Sequence, residues 1–217
     1  TDTTQALARG ARNGGAKLFE TVKVSKILTK NDRVIGAETD HGRIEAEIVV
    51  VCSGMWTRDL CAPLGVNVPL HAAEHYYIVT RPMEGVVRNQ PVIRDMDGYI
   101  YIKEEVGGLI LGGFEPNAKP WGMEGIPDGF EFQALPEDWD QFEIFMNTGL
   151  ERFPALANAE IRQLFVGPES FTPDNRYILG EAPALRKLYV AAGFNSIGIQ
   201  SAGGAGKALA EWIVEDE

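Results

Sequence analysis

The stretch that says most about this chain is Leu188–Trp212, which reads LYVAAGFNSIGIQSAGGAGKALAEW. Its first five residues form an apolar run that ends at Gly193, and an Ala-rich stretch of helical composition follows the glycine-containing turn. In α/β proteins, a buried strand that leads through such a turn into a helix is a common binding place for anions and cofactors. The reason is that backbone N–H groups at a helix start lack partners and glycine lets a ligand approach them. The stretch therefore predicts a ligand-binding turn.

A second apolar run, Ile48–Cys52, has the same character and is followed by Ser53 and Gly54. Continuous apolar runs of this length are typical of strands buried on both faces of a sheet. The segments between the two runs differ in style, because they are short, alternate in polarity and are separated by Asp-Gly and Gly-Gly turns. We therefore predict that the two apolar runs are neighbouring strands of one sheet, and that a separate antiparallel sheet interrupts their domain.

The predicted fold class is mixed, α+β with an α/β part. One domain comprises residues 1–66 and 168–217, and an antiparallel-sheet domain with one long helix comprises residues 67–167. Helical spacing and end signals predict helices over residues 4–13, 58–64 and 137–153. Alternation and turn residues predict strands over residues 22–29, 34–39, 43–46, 76–80, 91–94, 99–103, 109–111 and 161–166, and a long loop over 115–136.

Composition and charge narrow the kinds of partner that the protein is expected to bind and the cellular compartment in which it is expected to work. The formal net charge is −11, which argues against nucleic acid and anionic membranes because both select for basic surfaces. No apolar run approaches the roughly 18 residues that span a bilayer. Two cysteines make no disulfide framework, and the first residues do not resemble a signal peptide, so we predict a cytoplasmic protein.

The segment His71-Ala-Ala-Glu74-His75 matches the H-x-x-E-H pattern of some zinc proteases. That chemistry needs both histidines on one face of a helix, but Pro69 precedes the segment and a β-type run follows it at once. We therefore expect no metal site, and we treat His75 by itself, either as a structural histidine with one hydrogen bond or as a site residue.

Three further patterns carry weaker signals. The run Gly203–Lys207 lacks the spacing of a phosphate-binding P-loop, so its glycines predict close helix packing rather than nucleotide hydrolysis.

Cys52 and Cys61 could form a nucleophile or a redox pair, but apolar neighbours favour two buried packing cysteines. Tyr99 and Tyr101 are two residues apart and are expected on one strand face, which either packs against the sheet or lines a pocket with hydroxyl groups.

Taken in order, several motifs make the chain resemble the FAD-dependent amine oxidoreductases of the D-amino acid oxidase superfamily, nearest to the dimethylglycine and sarcosine dehydrogenases. Each motif is weak alone, whereas the ordered set is fairly specific and covers nearly the whole chain. The family's opening G-x-G-x-x-G turn has no match here, so the resemblance implies an internal fragment. The segments that carry the likeness are Thr4–Ala16, Val22–Ile27, Ile48–Trp56, Glu74–Thr80, Gly167–Asn175 and Gly193–Gly206.

The resemblance implies a function for the parent protein: oxidation of an N-methylated or secondary amino acid such as sarcosine by hydride transfer to FAD. It implies a small amino acid as substrate, and it leaves the electron acceptor open between oxygen and an electron-transfer protein. The fragment alone is expected to be inactive and not to retain FAD. The alternative is a stand-alone, non-catalytic binding or structural domain on a flavoprotein-like scaffold.

Residue roles follow from the same resemblance. His75 would act as the base or position the substrate, and Tyr101 and Tyr99 would line the same pocket. A substrate carboxylate is commonly bound by an arginine fork, for which Arg81, Arg94 and Arg176 are candidates. The residues expected to contact FAD are Val24, Ser53, Gly54, Trp56, Gly193, Asn195, Ile197, Gly198 and Ile199, the last three through N–H groups at the flavin ring.

Overall fold

The computed structural model describes residues 2–215, which form two compact units. Unit 1 comprises Thr1–His71 and Ser170–Glu217, and unit 2 comprises Ala72–Glu169. None of the helices within residues 2–215 is both long enough and apolar enough to cross a bilayer.

The helices and strands are numbered along the chain. The α-helices are α1 (Asp2–Asn13), α2 (Thr57–Cys61), α3 (Trp139–Arg152) and α4 (Gly198–Glu215). Short 3-10 turns span Gly54–Trp56, Ala62–Leu64 and Pro154–Asn158. The strands are β1 (Val24–Lys30), β2 (Arg33–Thr39), β3 (Gly42–Glu45), β4 (Val49–Val51), β5 (His71–Thr80), β6 (Ile93–Asp95), β7 (Ile100–Glu105), β8 (Gly108–Gly113), β9 (Pro120–Trp121), β10 (Ile161–Phe171), β11 (Ile178–Glu181) and β12 (Leu188–Ala192).

Unit 1 contains two three-stranded sheets. The first is the predicted antiparallel meander, in the order β1-β2-β3. The second has the order β11-β12-β4, and its β12 and β4 pair in parallel, with Leu188 opposite Val49 and Val190 opposite Val51. This pairing confirms that the two apolar runs of the sequence are neighbouring strands, although they are separated by more than 130 residues of chain.

Two expectations about the first apolar run are wrong. Its strand is only Val49–Val51, and Val50 is 40% exposed, so the strand is not buried on both faces. Cys52 lies just beyond the strand end and is exposed, whereas Cys61 is buried in the core of unit 1 as expected. An apolar run shows only that its residues favour burial. The elements that cover the two faces of the strand come from other parts of the chain.

The core of unit 1 is formed by residues of both sheets, of the segment 61–70 and of the segment before β12. The buried aliphatic side chains belong mainly to β1, β2, β4 and β12 and to the turn after α2, and they are Ile27, Val34, Val51, Val66, Val68, Leu70, Leu185, Leu188 and Val190. The long helices contribute little to this core. The described part of α1 has no buried residue, and α4 buries only Leu209.

Unit 2 is one six-stranded sheet with a helix packed against it. The strand order is β10-β5-β8-β7-β6, and β9 pairs with β5. Asp138 caps α3, because its Oδ1 accepts a hydrogen bond from the backbone N–H of Gln141 at 3.0 Å. Phe142 and Phe145 of α3 are fully buried among the apolar residues of the sheet. The predicted helix over 137–153 is therefore confirmed, with ends within two residues.

Three observed features differ from the sequence predictions, two in unit 2 and one in unit 1. Strand β5 begins at His71, five residues before the predicted start. Tyr99 precedes β7 with a φ of +61°, so it does not share a strand face with Tyr101. Strand β11, over Ile178–Glu181, was not predicted, because the stretch is short and contains Gly180.

Candidate active site

His75 lies in the middle of β5, on a strand whose two faces differ in burial. Tyr76 and Ile78 point into the core of unit 2 and are fully buried, whereas His75 and Tyr77 on the other face are half-buried. The side chain of His75 is 17% exposed. Period-two alternation in a strand therefore presents the imidazole on the face away from the helix-covered core.

Aromatic groups from the centre of the sheet surround the imidazole. Its Nε2 lies 3.0 Å from the hydroxyl of Tyr101 on β7, and the ring of Phe114 stacks on it at 4.8 Å between centroids. The tyrosine reaches across β8 because Gly112 lies beneath it: a Cβ there would lie 2.5 Å from the Tyr101 hydroxyl. The glycine thus leaves room for the hydrogen bond between the two side chains.

A carboxylate faces the other nitrogen of the imidazole. Oε2 of Glu169, on β10, lies 3.9 Å from Nδ1 of His75. We call His75, Tyr101, Phe114 and Glu169 the His75 cluster. Phe114 also contacts the guanidinium of Arg94, whose Cζ lies 5.2 Å from the ring centroid.

Burial keeps the central pair of this cluster neutral at physiological pH. Desolvation lowers the pKa of His75 to about 4, because the charged imidazolium is disfavoured away from water. Desolvation also raises the pKa of Tyr101, with further contributions from Tyr77 and the negative charge of Glu169. A neutral imidazole has one nitrogen with a free lone pair, so the pair can accept a proton or position a group that carries one.

The three arginines that are candidates for binding a substrate carboxylate have different surroundings. Arg81 is paired with Glu160, with Nε 2.7 Å from Oε1. Arg176 lies in unit 1, where its carbonyl accepts a hydrogen bond from the hydroxyl of Thr172 at 2.8 Å. Among residues 2–215, no carboxylate lies within ion-pairing distance of Arg94. Of the three, Arg94 therefore combines closeness to the His75 cluster with a guanidinium available to a ligand.

Tyr99 takes a different position from the one expected. It is 41% exposed and sits in the turn before β7, where its carbonyl accepts a hydrogen bond from the N–H of Phe114 at 2.9 Å. Its backbone thus helps to hold Phe114 in the His75 cluster. No contact places its hydroxyl beside His75 in the part of the chain that the structure describes.

The geometry of β5 does not suit the zinc site that the H-x-x-E-H pattern describes. His71, Glu74 and His75 all lie on strand β5, so the helix that the H-x-x-E-H pattern requires is not formed. Glu74 accepts a hydrogen bond from the hydroxyl of Tyr76, and its Oε2 lies 3.7 Å from Nζ of Lys119. Within residues 2–215 no group of three or more His, Cys, Asp or Glu side chains could hold a metal ion.

The glycine turn of unit 1 is fixed by contacts with the preceding Thr-Pro-Asp segment. Gly193 is buried with a φ of +68°, and a Cβ on it would lie 2.5 Å from Cγ2 of Thr172. Asn195 accepts a hydrogen bond from the N–H of Thr172 at 2.8 Å and donates one to its hydroxyl at 3.0 Å. The segment that contains Thr172 was singled out from the sequence, but its contact with Asn195 was not predicted, because the two residues are 23 positions apart.

The turn ends where α4 begins, and it presents backbone donors there. The N–H of Ile197 is used inside the turn, by the carbonyl of Phe194 at 2.9 Å. Gly198 and Ile199 are the first two residues of α4, and N–H groups in the first turn of a helix have no partner within the helix. Ile199 is 68% exposed, so this helix start is open to a ligand.

The remaining expected cofactor residues lie at two other places in unit 1. Val24 is the first residue of β1 and is exposed. Ser53 precedes the short 3-10 turn Gly54–Trp56 that follows β4, and its carbonyl accepts a hydrogen bond from the N–H of Trp56 at 3.1 Å. Gly54 has a φ of +54° and open space where a Cβ would be. Open glycine backbone and unpaired helix N–H groups are donors that suit the carbonyl and anionic groups of a flavin nucleotide.

Comparison with known proteins identifies the family of the chain. The model of the family described as DAO, FAD dependent oxidoreductase, matches residues 1–212. The chain belongs to this family of FAD-dependent oxidoreductases. The resemblance that the ordered motifs suggested is therefore confirmed, as is the mixed fold class.

Three curated relatives illustrate the range of this oxidoreductase family. The chain is 44% identical to the mitochondrial pyruvate dehydrogenase phosphatase regulatory subunit of Mus musculus, over 98% of the chain and 24% of that protein. It is 43% identical to the formaldehyde-forming 4-methylaminobutanoate oxidase of Paenarthrobacter nicotinovorans, over 97% and 26%. It is 39% identical to the mitochondrial sarcosine dehydrogenase of Homo sapiens, over 98% and 23%. The chain thus spans about a quarter of the length of these relatives.

A solved member of the same fold is similar throughout the chain. The crystal structure of L-proline dehydrogenase from P. horikoshii superposes with a TM-score of 0.83 at 26% identity, covering 99% of this chain and 55% of that one. The chain therefore shares its fold with L-proline dehydrogenase and with the glycine oxidase of Geobacillus kaustophilus.

Proposed function

We propose that the protein containing this chain oxidises an N-methylated or secondary amino acid, of the sarcosine or dimethylglycine type, with FAD as the hydride acceptor. The observation that carries the proposal is the neutral pair of His75 and Tyr101, joined at 3.0 Å on the face of the unit 2 sheet opposite its helix-covered core. The relatives that are named for N-methylated substrates support the choice of substrate class.

The roles of the chain's own residues follow from their chemistry. Oxidation of an amine by hydride loss requires the unprotonated nitrogen, so a neutral imidazole that takes up or relays the amine proton favours the reaction. Tyr101 fixes the imidazole through its hydrogen bond. Arg94 is suited to bind the substrate carboxylate, since a guanidinium offers paired N–H donors in the plane that a carboxylate needs.

FAD, when bound, supplies the acceptor for the two electrons and the hydrogen removed from the substrate. Unit 1 would hold it through the backbone at Val24, the turn Ser53–Trp56 and the turn Gly193–Ile199, in which Asn195 is a fixed structural element. Because residues 1–217 contain no G-x-G-x-x-G sequence for the pyrophosphate, we propose that this region alone neither retains FAD nor turns over.

A second candidate function is a non-catalytic binding or structural role on the same scaffold. The similarity to a phosphatase regulatory subunit favours it, at an identity as high as that to the oxidases. The two candidates differ in one respect that can be measured, namely whether an amino acid reduces the flavin.

The experiment is anaerobic mixing of sarcosine with the protein expressed from its complete reading frame and loaded with FAD. We expect the absorbance of oxidised flavin to disappear. We expect His75→Gln to slow that reduction by roughly a hundredfold to ten-thousandfold, the range for loss of a general base. His41→Gln, on an exposed turn, serves as the matched control and should react like the wild type. Bound flavin that no N-methylated amino acid reduces would establish the non-catalytic alternative.

A further inference from the structure

The last strand of the unit 2 sheet, β6, is only partly covered by the rest of the chain. It ends the strand order, so one of its edges has no neighbouring strand in the part of the chain that the structure describes. The side chain of Ile93 on β6 is 44% exposed, whereas Ile102, directly opposite on β7, is 2% exposed. Residues that lie opposite each other share one face of the sheet, so the cover of that face ends between β7 and β6.

The width of a helix explains why β6 is left uncovered. Helix α3 packs on β7 and β8, and a helix about 10 Å wide covers about two strands that lie about 4.8 Å apart. A groove of about 190 Å³ therefore remains between β6 and the end of α3. The groove is mainly apolar, and its walls are formed by Ile93, Asp95, Ile100, Ile102, Arg152 and Phe153.

The edge of β6 is also apolar at both of its ends. Natural proteins commonly protect an edge strand with charged residues, because its unpaired N–H and C=O groups can pair with a strand of another chain. The residues that flank β6 are instead Val92 and Met96, and both are exposed. We call residues 92–96 together with the groove the β6 surface. It combines an open strand edge with an apolar groove, which is a combination that favours docking of another strand.

A second copy of the same protein fits the β6 surface by its shape. A strand edge can pair antiparallel with its own copy about a two-fold axis, and in such a contact each copy presents the same patch to the other. The β6 surface has both parts that this symmetry requires. The groove is the apolar hollow, and the exposed side chain of Met96 is a flexible apolar group that can fill the groove of the other copy.

The charges around the β6 surface also fit a second copy. The chain has a formal net charge of −11, so two copies repel each other through most of their surfaces. Residues 86–98, by contrast, contain two arginines and two aspartates, and Glu151 and Arg152 add one charge of each sign. Within the groove, Nε of Arg152 lies 2.7 Å from Oδ2 of Asp95, so these two charges are paired. A two-fold contact at this place brings together two neutral surfaces.

We propose that the protein containing this chain forms a dimer through the β6 surface. The two β6 strands pair antiparallel, and the unit 2 sheets of the two copies join into one. The inference does not depend on the proposed function, because the groove lies on the side of the sheet that α3 covers, whereas His75 lies on the other side.

The test measures the mass of the protein and the protection of β6, with the protein expressed from its complete reading frame. Sedimentation equilibrium gives the oligomeric state, and we expect a dimer. Hydrogen–deuterium exchange then locates the contact. The backbone amides of residues 93–95 should be protected in the dimer and should exchange faster after dilution to the monomer, because pairing of the two edges occupies groups that are otherwise open to water.

Ile93→Asp is the variant that attacks the contact. It places a carboxylate in the apolar groove of each copy and should raise the dissociation constant of the dimer by at least about tenfold. Ile44→Asp is the matched control, because Ile44 is an isoleucine of similar exposure on β3, an edge strand of unit 1. It should leave the dissociation constant unchanged. Circular dichroism checks that both variants are folded.

Three results would overturn the inference. The first is a protein that stays monomeric, including a monomer whose β6 amides are protected, since another segment of the same protein would then cover the edge. The second is a dimer whose β6 amides exchange as fast as in the monomer, since its contact would lie elsewhere. The third is a folded Ile93→Asp protein that dimerises as strongly as the wild type.

Discussion

The two units use their longest helices in opposite ways. In unit 2, α3 is amphipathic and buries Phe142 and Phe145 against the sheet whose other face carries His75. In unit 1, the 18-residue α4 buries only Leu209, and its first turn presents backbone donors. The helix of unit 2 therefore contributes mainly to stability, whereas we propose that the first turn of the unit 1 helix binds a ligand.

This difference matches the chemistry assigned to each unit. The candidate substrate residues need fixed side chains, because a hydrogen bond such as that between His75 and Tyr101 depends on a well-packed sheet beneath it. The candidate flavin residues act mostly through backbone groups in glycine turns. Such turns depend on local conformation and on a few contacts, such as those between Thr172 and Asn195.

The largest expected effect contrasts the two helices directly. Phe145→Ala removes a fully buried aromatic ring from unit 2 and should lower the free energy of unfolding by about 3–5 kcal/mol. Leu209→Ala should cost about 2 kcal/mol, near the lower limit for leucine truncation, because Leu209 is the only buried residue of α4. Urea unfolding followed by circular dichroism measures both values. Equal losses would show that α4 is packed as firmly as α3.

The next effect concerns the glycine turn of unit 1. Gly193→Ala places a methyl group against Thr172 on a backbone with a φ of +68°, so strain and overlap together should cost about 2–3 kcal/mol. Gly203→Ala is the matched control, since Gly203 lies in α4 with open space around it and alanine favours a helix by up to about 1 kcal/mol. Thermal unfolding of both variants provides the comparison. A Gly193→Ala protein as stable as the wild type would show that the turn is not constrained by Thr172.

The smallest of the three effects tests the environment of His75 in unit 2. Its pKa is about 4 in the folded chain and near 6.5 when unfolded, so the unfolded state binds more protons between these values. The contribution to stability is complete above pH 6.5 and is lost as the pH falls toward 4. It amounts to a loss of about 2 kcal/mol at pH 5 relative to pH 7.5.

Urea unfolding at the two pH values measures this loss. His75→Gln should lack the component, so its stability should fall by about 2 kcal/mol less than that of the wild type over the same interval. His41→Gln, which alters an exposed histidine, should behave like the wild type. An identical pH dependence in all three proteins would mean that His75 is hydrated and titrates normally.

Local sequence patterns predicted most of the elements. Alternation and turn residues placed the β1–β3 meander, the spacing of apolar residues placed α3, and the glycine-terminated run placed β12 and the start of α4. The sequence also predicted that β12 and β4 are neighbouring strands, because the two runs have the same apolar character, and the structure shows that they pair in parallel. These predictions succeed where the signal lies within a few residues of the element itself.

The predictions failed where a residue's surroundings depend on distant segments. Period-two alternation predicted that Tyr99 lies on a strand, but Tyr99 lies in the turn before β7 and has a positive φ. Apolar neighbours predicted that Cys52 lies in the core, but it follows the last residue of β4 and is exposed. Glu169 was overlooked because nothing in its own segment indicates that β10 lies beside β5 and places a carboxylate next to His75.

The sequence by itself determined the family, the mixed fold class and the glycine turn at Gly193, since these depend on the order and local chemistry of short motifs. The tertiary structure alone decided which side chains meet. It joined His75 to Tyr101, Phe114 and Glu169 from four separate segments, and it placed the guanidinium of Arg94 over the ring of Phe114. The physical reason is that burial, and with it the lowered pKa of His75, arises from the packing of strands that are distant in sequence.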